Sequence, residues 1–390
     1  MKILFVHEVS YLDKVIFEMH EFPEYLSSFG HDVTFIDFPE SVRLIPYRWR
    51  SRRQVIPGRV IERSRILLIN LPRLLPRPFD RLLCATTFLR GANSLLREVS
   101  PDVIVLYAVP TNGWQMIRAA KRLGIPVVYR AIDSSAGIRK TPFVGLIKWA
   151  ERFVYGNVDL VLTNNGALKA YGEQRGADPL RTRVLFPGVA ERNIDDVATG
   201  GRKDEYNVVF MGSLFRFAGL DWVIEGIAQS SDRREKMRLK VIGDGEDRQR
   251  LEQLVDRLDL RKNVVFTGLI GFDRLYEAMA GSRVAILPFD DAEVSQVALP
   301  GKVPQYVMAG LPTVSVPLAG LQSLLQEGEG VVYAERGNEF LEKISRLLDD
   351  EETRRSVVER GFAKLRSECA WPNQAHRFEE ELVRLVKSRK

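Results

Sequence analysis

Short apolar runs rich in β-branched residues alternate with longer amphipathic stretches along the whole chain of 390 residues. Such runs, bounded by turn residues, are typical of strands buried on both faces, and their alternation with amphipathic stretches is typical of βα units in a parallel sheet. In the first half the pattern predicts strands at residues 3–6, 33–36, 103–106, 127–130, 160–162 and 183–186, and helices at 14–29, 113–123 and 143–155.

A polar stretch of poor periodicity follows Pro187-Gly188, after which the alternation restarts. We therefore predict an α/β protein of two doubly wound, Rossmann-like domains, residues 1–189 and 206–370, joined by a linker at 190–205. Between the carboxyl ends of their strands we expect a ligand cleft. The second half predicts strands at 208–211, 239–242, 264–267, 284–287, 313–316 and 330–333, helices at 220–229, 247–258, 272–280, 302–309, 320–325, 338–348 and 351–368, and a last helix at about 373–386 within a segment 371–390.

The composition is that of an ordinary globular protein, with 45% apolar residues and 57 Lys and Arg against 51 Asp and Glu. Two cysteines far apart, Cys84 and Cys369, exclude a disulfide framework and a four-cysteine zinc site, so a reducing cytosol is the expected compartment. The opening apolar run is too short for a signal peptide, and no run reaches the roughly 18–20 residues of a membrane span. We expect a cytoplasmic protein.

Positive charge is concentrated in one region, since residues 43–97 contain thirteen Arg but only two acids, Glu62 and Asp80. From Arg48 onwards these cations alternate with Trp, Ile and Leu, which predicts a basic amphipathic insertion that lies as an interfacial helix on an anionic membrane surface. No nucleic-acid motif accompanies the cations, so we expect no nucleic-acid partner. A solvated helical insertion packed partly on the core is the alternative.

Two segments of the second half carry candidate ligand-binding groups. The predicted strand 208–211 runs into a Gly-Ser turn, and Gly219 opens the next helix, so backbone N–H groups are available to an anion, although a tight turn without a ligand has the same pattern. Further on, Lys302 stands in the first turn of a predicted helix that ends at Gly310-Leu311-Pro312. A cation is unfavourable there by a few tenths of a kcal/mol unless an anion is bound, the alternative being a solvated lysine.

In order along the second half, the Met-Gly-Ser turn, the Val-Ile-Gly-Asp-Gly-Glu segment at 241–246, Asn-Val-Val-Phe-Thr-Gly at 263–268 and the segment 302–316 resemble the GT-B glycosyltransferases. That resemblance implies two Rossmann-like domains that face a cleft, a nucleotide-sugar donor bound by the second domain, and a C-terminal helix that crosses back to the first. The common retaining members carry an Arg/Lys pair and an E-x7-E motif. Here Ser213, Ala218 and Gln305 replace three of those residues, and no glutamate stands near Val297.

A closer resemblance is to the xanthan-type inverting glucuronosyltransferase, through the string Lys302-x-x-Gln305-Tyr306-x-x-x-Gly310-Leu-Pro-x-Val. Phe289 stands where that enzyme has an aromatic hydroxyl, and Gly301 where it has a larger residue. The resemblance implies that Lys302 contacts the donor's phosphates or sugar and Gln305 the nucleotide, with Met211 lining the pocket. The implied donor-binding set is Met211, Gly212, Ser213, Arg216, Phe289, Lys302, Gln305 and Tyr306.

Asp133 follows the predicted strand 127–130, at the edge where α/β folds hold ligands, and corresponds in context to the catalytic base of the resembled enzyme. Its alternative role is to cap a turn together with Ser134. His7 and Glu8 follow the first strand and are candidate acceptor contacts, although His7 could equally pack under the next loop.

These observations predict a glycosyltransferase that moves a sugar, glucuronic acid if the closer resemblance holds, from a UDP-linked donor to a lipid-linked or glycan acceptor in polysaccharide synthesis. Asp133 and Lys302 would be its catalytic pair, with inversion at the anomeric carbon. No metal or other cofactor is expected, and the protein would lie peripherally at the inner face of the cell membrane. The alternatives are a catalytically silent nucleotide-sugar-binding protein, a retaining hexosyltransferase and, with less support, an epimerase.

Overall fold

A computed structural model describes residues 1–38, 51–71, 79–137, 142–190, 206–271, 274–291 and 293–389. The chain forms two compact units. One comprises Met1–Gly188 together with Pro372–Lys390, and the other comprises Val189–Trp371. The predicted linker, residues 190–205, lies outside the described residues except for Ala190.

The first unit is built on an eight-stranded sheet in the order β3-β4-β2-β1-β5-β6-β7-β8. All neighbouring strands are parallel except β3, which is antiparallel to β4. Its elements are β1 (Lys2–Val6), α1 (Glu18–Ser28), β2 (Asp32–Asp37), β3 (Arg52–Pro57), β4 (Arg65–Asn70), α2 (Phe79–Val99), β5 (Val103–Leu106), α3 (Gly113–Leu123), β6 (Val127–Ala131), α4 (Val144–Asn157), β7 (Leu160–Thr163), α5 (Gly166–Gln174), a 3-10 turn (Pro179–Arg181) and β8 (Thr182–Val184).

The central strands β1, β5 and β6 are buried along nearly their whole length, as their continuous apolar sequences predict. Parallel strands joined by helices place their carboxyl ends at one edge of the sheet. Asp133 and the pair His7-Glu8 follow β6 and β1 and therefore lie at that edge.

The helix predicted in the basic region is wrong for residues 52–57 and 65–70, and its binding to a membrane stays a prediction. Residues 52–57 and 65–70 are the strands β3 and β4, and α2 begins only at Phe79. Ile66, Leu68 and Ile69 are buried in the sheet, so the apolar residues of β4 contribute to the core of the first unit. The region is thus an integral edge of the first sheet and not an insertion; its residues 43–50 and 72–78 lie outside the described part of the chain.

The second unit is a smaller doubly wound domain with a six-stranded, all-parallel sheet in the order β11-β10-β9-β12-β13-β14. Its elements are β9 (Val208–Met211), a 3-10 turn (Arg216–Ala218), α6 (Leu220–Ala228), α7 (Ser231–Lys236), β10 (Leu239–Ile242), α8 (Arg248–Arg257), β11 (Val264–Gly268), α9 (Leu275–Met279), β12 (Val284–Leu287), α10 (Glu293–Val297), α11 (Lys302–Met308), β13 (Thr313–Ser315), α12 (Ala319–Gln322), β14 (Val331–Tyr333), α13 (Asn338–Asp349) and α14 (Glu351–Cys369).

The last helix, α15 (Trp371–Lys387), packs on the first unit. Phe378 is fully buried there, with its ring 4.7 Å from that of Phe22 and 6.4 Å from that of Phe5. The Glu379 carboxylate is 2.7 Å from the His31 imidazole. Among the described residues, no helix is long and apolar enough to span a bilayer.

One buried ion pair joins α1 to the centre of the first sheet. Both carboxylate oxygens of Glu18 accept hydrogen bonds from the guanidinium of Arg130, each at 2.7 Å. A third guanidinium N–H is donated to the Leu185 carbonyl at 2.7 Å. Because Arg130 is fully buried and Glu18 nearly so, the charge of each depends on the other.

Glu18→Gln should therefore destabilise the first unit by about 3–5 kcal/mol, since it leaves the Arg130 charge buried without compensation. Urea unfolding provides the measurement. The matched control is Glu98→Gln, which breaks the exposed ion pair with Arg53 and should leave the unfolding midpoint nearly unchanged. Equal effects of the two substitutions would contradict the importance of the buried pair.

Candidate functional site

In the second unit the candidate donor site lies at the carboxyl end of β9. Tyr306, fully buried on α11, accepts a hydrogen bond from the Met211 N–H through its hydroxyl at 2.6 Å. Met211 packs with Tyr306, Ile242 and Leu311 in one apolar cluster. Tyr306 therefore holds the end of β9 in place, and its hydroxyl is already bonded.

Glycine at position 212 provides the space for the amine of Lys302. A Cβ built on Gly212 would lie 2.4 Å from the Lys302 Nζ, so a side chain at this position would displace the amine. The next strand approaches equally closely, since a Cβ on Gly243 would lie 2.0 Å from the Gly212 carbonyl oxygen. Both glycines have a positive φ, which other residues rarely adopt.

Lys302 is the central group of this site. Its Nζ lies 4.4 Å from the ring centre of Phe210 and 4.9 Å from that of Phe289, which are cation–π distances. Among the described residues no carboxylate pairs with it. Burial lowers the pKa of Lys302 to about 7. The amine is therefore desolvated, and no anion of the described chain lies beside it.

The remaining predicted donor residues lie on α11, after β12 or in the loop after β9. Gln305 is one helical turn beyond Lys302 on α11, is partly exposed, and its side chain makes no hydrogen bond to a described residue. Phe289 is buried against the amine, as described. Ser213 and Arg216 are exposed in the loop after β9.

Two aromatic residues in that loop were not predicted as part of the site. Phe215 and Phe217 are both exposed and stacked, with ring centres 5.4 Å apart. The Phe217 ring also lies 5.5 Å from that of Phe289, edge to face. The sequence signal was an aromatic-x-aromatic pair directly after a buried strand, at the edge where parallel sheets bind ligands.

In the first unit, Asp133 lies just beyond β6 with a carboxylate that makes no hydrogen bond to the described residues. Burial, with a smaller contribution from the negative charge of Glu18, raises the pKa of Asp133 to about 7. An aspartate with this pKa exchanges its proton near neutral pH, as a general base must.

The turn after Asp133 is capped by other side chains. The Ser134 hydroxyl accepts a hydrogen bond from the Gly137 N–H at 3.0 Å and lies 2.5 Å from the Tyr171 hydroxyl. Glu151, fully buried on α4, accepts from the Ser135 N–H and from the Tyr171 hydroxyl, each at 2.9 Å. Ser134 and Glu151 thus fill the capping role that was the alternative for Asp133.

His7 and Glu8, predicted to contact the acceptor, are both buried. The Glu8 carboxylate accepts hydrogen bonds from the N–H groups of Val109 and Thr111, at 2.6 and 3.0 Å, and so orders the loop after β5. The His7 ring stacks on Tyr107, with ring centres 5.1 Å apart, and its Nδ1 accepts the Glu8 N–H. These contacts assign both residues a structural role; an acceptor contact stays a prediction.

No group of three or more His, Cys, Asp or Glu side chains that could hold a metal ion occurs in the part of the chain that the structure describes. That observation leaves the expectation of metal-independent chemistry untested.

Comparison with known proteins agrees with the fold and with the division of the chain. The family model described as "Glycosyl transferases group 1" matches residues 205–350. The family model described as "Glycosyltransferase Family 4" matches residues 19–192. Alpha-D-kanosaminyltransferase of Streptomyces kanamyceticus is 25% identical over 264 residues, which are 61% of this chain and 65% of that protein. The matches to the first three curated relatives span between 44% and 65% of their length.

Among solved structures, sucrose-phosphate synthase from Thermosynechococcus elongatus superposes with a TM-score of 0.78 at 15% identity, covering 99% of both chains. Anabaena HepE in complex with UDP superposes with a TM-score of 0.72 at 15% identity, covering 98% of this chain and all of HepE. At these identities the likeness concerns the fold, which is GT-B. The shared fold and the two family models, one for each half of the chain, indicate a glycosyltransferase of the GT-B fold.

Proposed function

We propose that this protein transfers a sugar from a UDP-linked donor to a hydroxyl of a lipid-linked or glycan acceptor, with inversion at the anomeric carbon. The observation that carries the proposal is Asp133, a carboxylate at the ligand-binding edge of the first sheet with no hydrogen bond to the described residues and a pKa raised to about 7. HepE structures contain UDP and, in one case, UDP-glucose, which supports a UDP-linked donor here.

In the proposed reaction the Asp133 carboxylate removes the proton from the acceptor hydroxyl. The acceptor oxygen forms a bond to the anomeric carbon while the bond from that carbon to the diphosphate oxygen breaks, and UDP leaves. Lys302 stabilises the negative charge that develops on the diphosphate. This division of labour needs neither the glutamates of the retaining members nor a metal ion. The glucuronate specificity implied by Lys302 and Gln305 is tested with a panel of UDP-sugars.

We predict that Asp133→Asn lowers kcat by about 10²–10⁴-fold, because a general base is lost, while donor affinity stays near that of the wild type. Sugar transfer from UDP-sugars into a lipid extract, measured in EDTA, gives the rate, and NMR coupling constants give the anomeric configuration of the product. Asp32→Asn, at an exposed aspartate of the same unit, is the control.

Three results would contradict this mechanism. Wild-type turnover in Asp133→Asn would exclude Asp133 as the base, and a retained anomeric configuration would exclude inversion. Activity lost in EDTA and restored by Mg²⁺ or Mn²⁺ would exclude metal independence. Donor binding without any transfer would favour the catalytically silent binding protein, for which the absence of the retaining-family residues is the supporting observation.

Ionisation of the buried Asp133 carboxyl should also lower the free energy of unfolding. Its pKa in the folded protein is raised above the ordinary value of 3.8, so the penalty is smallest in acid and grows as the pH rises towards about 7. We predict that Asp133→Asn melts at a higher temperature than the wild type at about pH 8, and that the difference shrinks at about pH 5. Differential scanning calorimetry measures this, and Asp32→Asn should show no such difference. A lower melting temperature at both pH values would assign Asp133 a structural role.

Donor binding should be coupled to proton uptake by Lys302. With a pKa of about 7, the free amine is partly neutral at physiological pH, and a bound diphosphate favours the charged form. We predict that affinity for UDP-glucose, which has no titrating phosphate in this range, falls by up to about tenfold per pH unit above pH 7. Calorimetry in two buffers of different ionisation enthalpy should detect the proton taken up.

Lys302→Met should bind UDP-glucose more weakly, with no proton uptake and little pH dependence. Lys262→Met, at an exposed lysine of the same unit, serves as the control and should behave as the wild type. Proton uptake that persists in Lys302→Met would assign the titration to another group and contradict the proposed phosphate contact.

A further inference from the structure

Helix α4 exposes a cluster of large apolar side chains. Ile147, Ala150 and Val154 face the core of the first unit. On the solvent side, Leu146 is 51% and Trp149 43% exposed, and the residues at the start of the helix, Phe143 and Val144, are 60% and 36% exposed. Large apolar residues clustered in this way mark an interaction surface more often than single exposed side chains do.

Every exposed charge on α4 and on its neighbour α3 is positive. Glu151 is the one acidic residue of the two helices, and it is fully buried in contact with Arg175. Arg118 lies over the rings of Trp114 and Phe153, at 5.0 and 5.4 Å, and so joins the two helices. The exposed cations are Arg118, Lys121, Arg122, Lys148 and Arg152.

We propose that this face, exposed Leu146 and Trp149 with the cations of α3 and α4, docks the protein on an anionic lipid bilayer. Exposed Leu and Trp beside Lys and Arg are the side chains of helices that lie in the membrane interface, where the apolar groups enter the acyl boundary and the cations meet lipid phosphates. Five cations without an exposed acid on the same two helices disfavour a second copy of this chain, because like charges would face each other.

The same helix anchors the loop that carries Asp133. The buried Glu151 carboxylate of α4 accepts the Ser135 N–H, two residues beyond Asp133. Docking of α4 would therefore fix the loop of the proposed base relative to the bilayer. This step rests on the proposed function, and it selects the lipid-linked acceptor, whose reacting hydroxyl is held at the membrane surface, over a free glycan.

The test is co-sedimentation of the full chain with vesicles of phosphatidylcholine, with and without phosphatidylglycerol. We expect binding that requires phosphatidylglycerol and weakens as salt is raised. Leu146→Gln/Trp149→Gln should lower the partition constant by about tenfold or more, because both side chains lose apolar burial. Val55→Gln/Leu180→Gln removes two exposed apolar side chains elsewhere on the unit and should bind as the wild type does.

Trp149 also provides a direct signal. Its fluorescence should be quenched by brominated acyl chains, and Trp149→Phe should still bind while that part of the quenching disappears. Lys148→Ser/Arg152→Ser should lower binding by about tenfold or more at low salt, and the loss should fade at high salt.

The proposal is overturned if the wild type binds neither vesicle, or if the α4 and control double variants lose binding equally. A dimer that dissociates in the α4 double variant, without vesicle binding, would assign the face to a second copy. Calorimetric measurement of UDP-glucose binding on the same preparations distinguishes a failure of the proposed function from a failure of the proposed docking surface. Vesicle binding without donor binding would contradict only the proposed function, and donor binding without vesicle binding only the docking surface.

Discussion

The ion pair of Glu18 and Arg130 is the interaction on which the first unit most depends. Removing two charges from water costs several kcal/mol for each ion, and only close geometry with complete hydrogen bonding offsets it. Here the guanidinium donates two hydrogen bonds to Glu18 and a third to the Leu185 carbonyl, and these bonds offset part of that cost. The pair thereby joins α1 and β6 to the residue that follows β8. Apolar side chains could replace the pair only if all three segments repacked.

The same pair affects the chemistry at the edge of the sheet. Arg130 is the last but one residue of β6, and Asp133 follows two residues after the strand. Glu18 adds negative potential at Asp133, which, after burial, is the second cause of its raised pKa. In the second unit the pKa of Lys302 changes in the opposite direction, because burial alone lowers it. In the proposed reaction Asp133 must be ionised and Lys302 protonated, and because both pKa values are about 7, that combination is most populated near neutral pH.

Much of the fold could be predicted from the sequence because both sheets are mainly parallel. Buried parallel strands are continuous apolar runs, and those at residues 3–6, 103–106 and 284–287 are found where the pattern placed them. The edge strand β3 and its neighbour β4 were missed because their cations and Pro57 obscured the strand pattern. A composition suited to an interfacial helix is also suited to a charged edge strand, and only the pairing with β2 distinguishes the two.

The candidate site was predictable where a residue follows a strand and unpredictable where its role depends on a neighbour. Asp133 was proposed from its place after a strand, and Lys302 from its place at the start of a helix and from the resemblance; the roles of both stay predictions. That the hydroxyl of Tyr306 is bonded to Met211, and that Glu8 holds the loop after β5, depends on residues about a hundred positions away. The exposed face of α4 was hidden for the same reason, since its sequence does not tell which of its apolar residues pack inward.

The packing of α15 on the first unit has a consequence for synthesis of the chain. Phe5 and Phe22 emerge from the ribosome early, but the Phe378 ring that covers them comes after the whole second unit. Residues 189–371, in contrast, are contiguous and form a compact unit of their own. We expect the second unit to fold while the first still exposes an apolar patch on its sheet, so the first unit is the one that chaperones would have to protect.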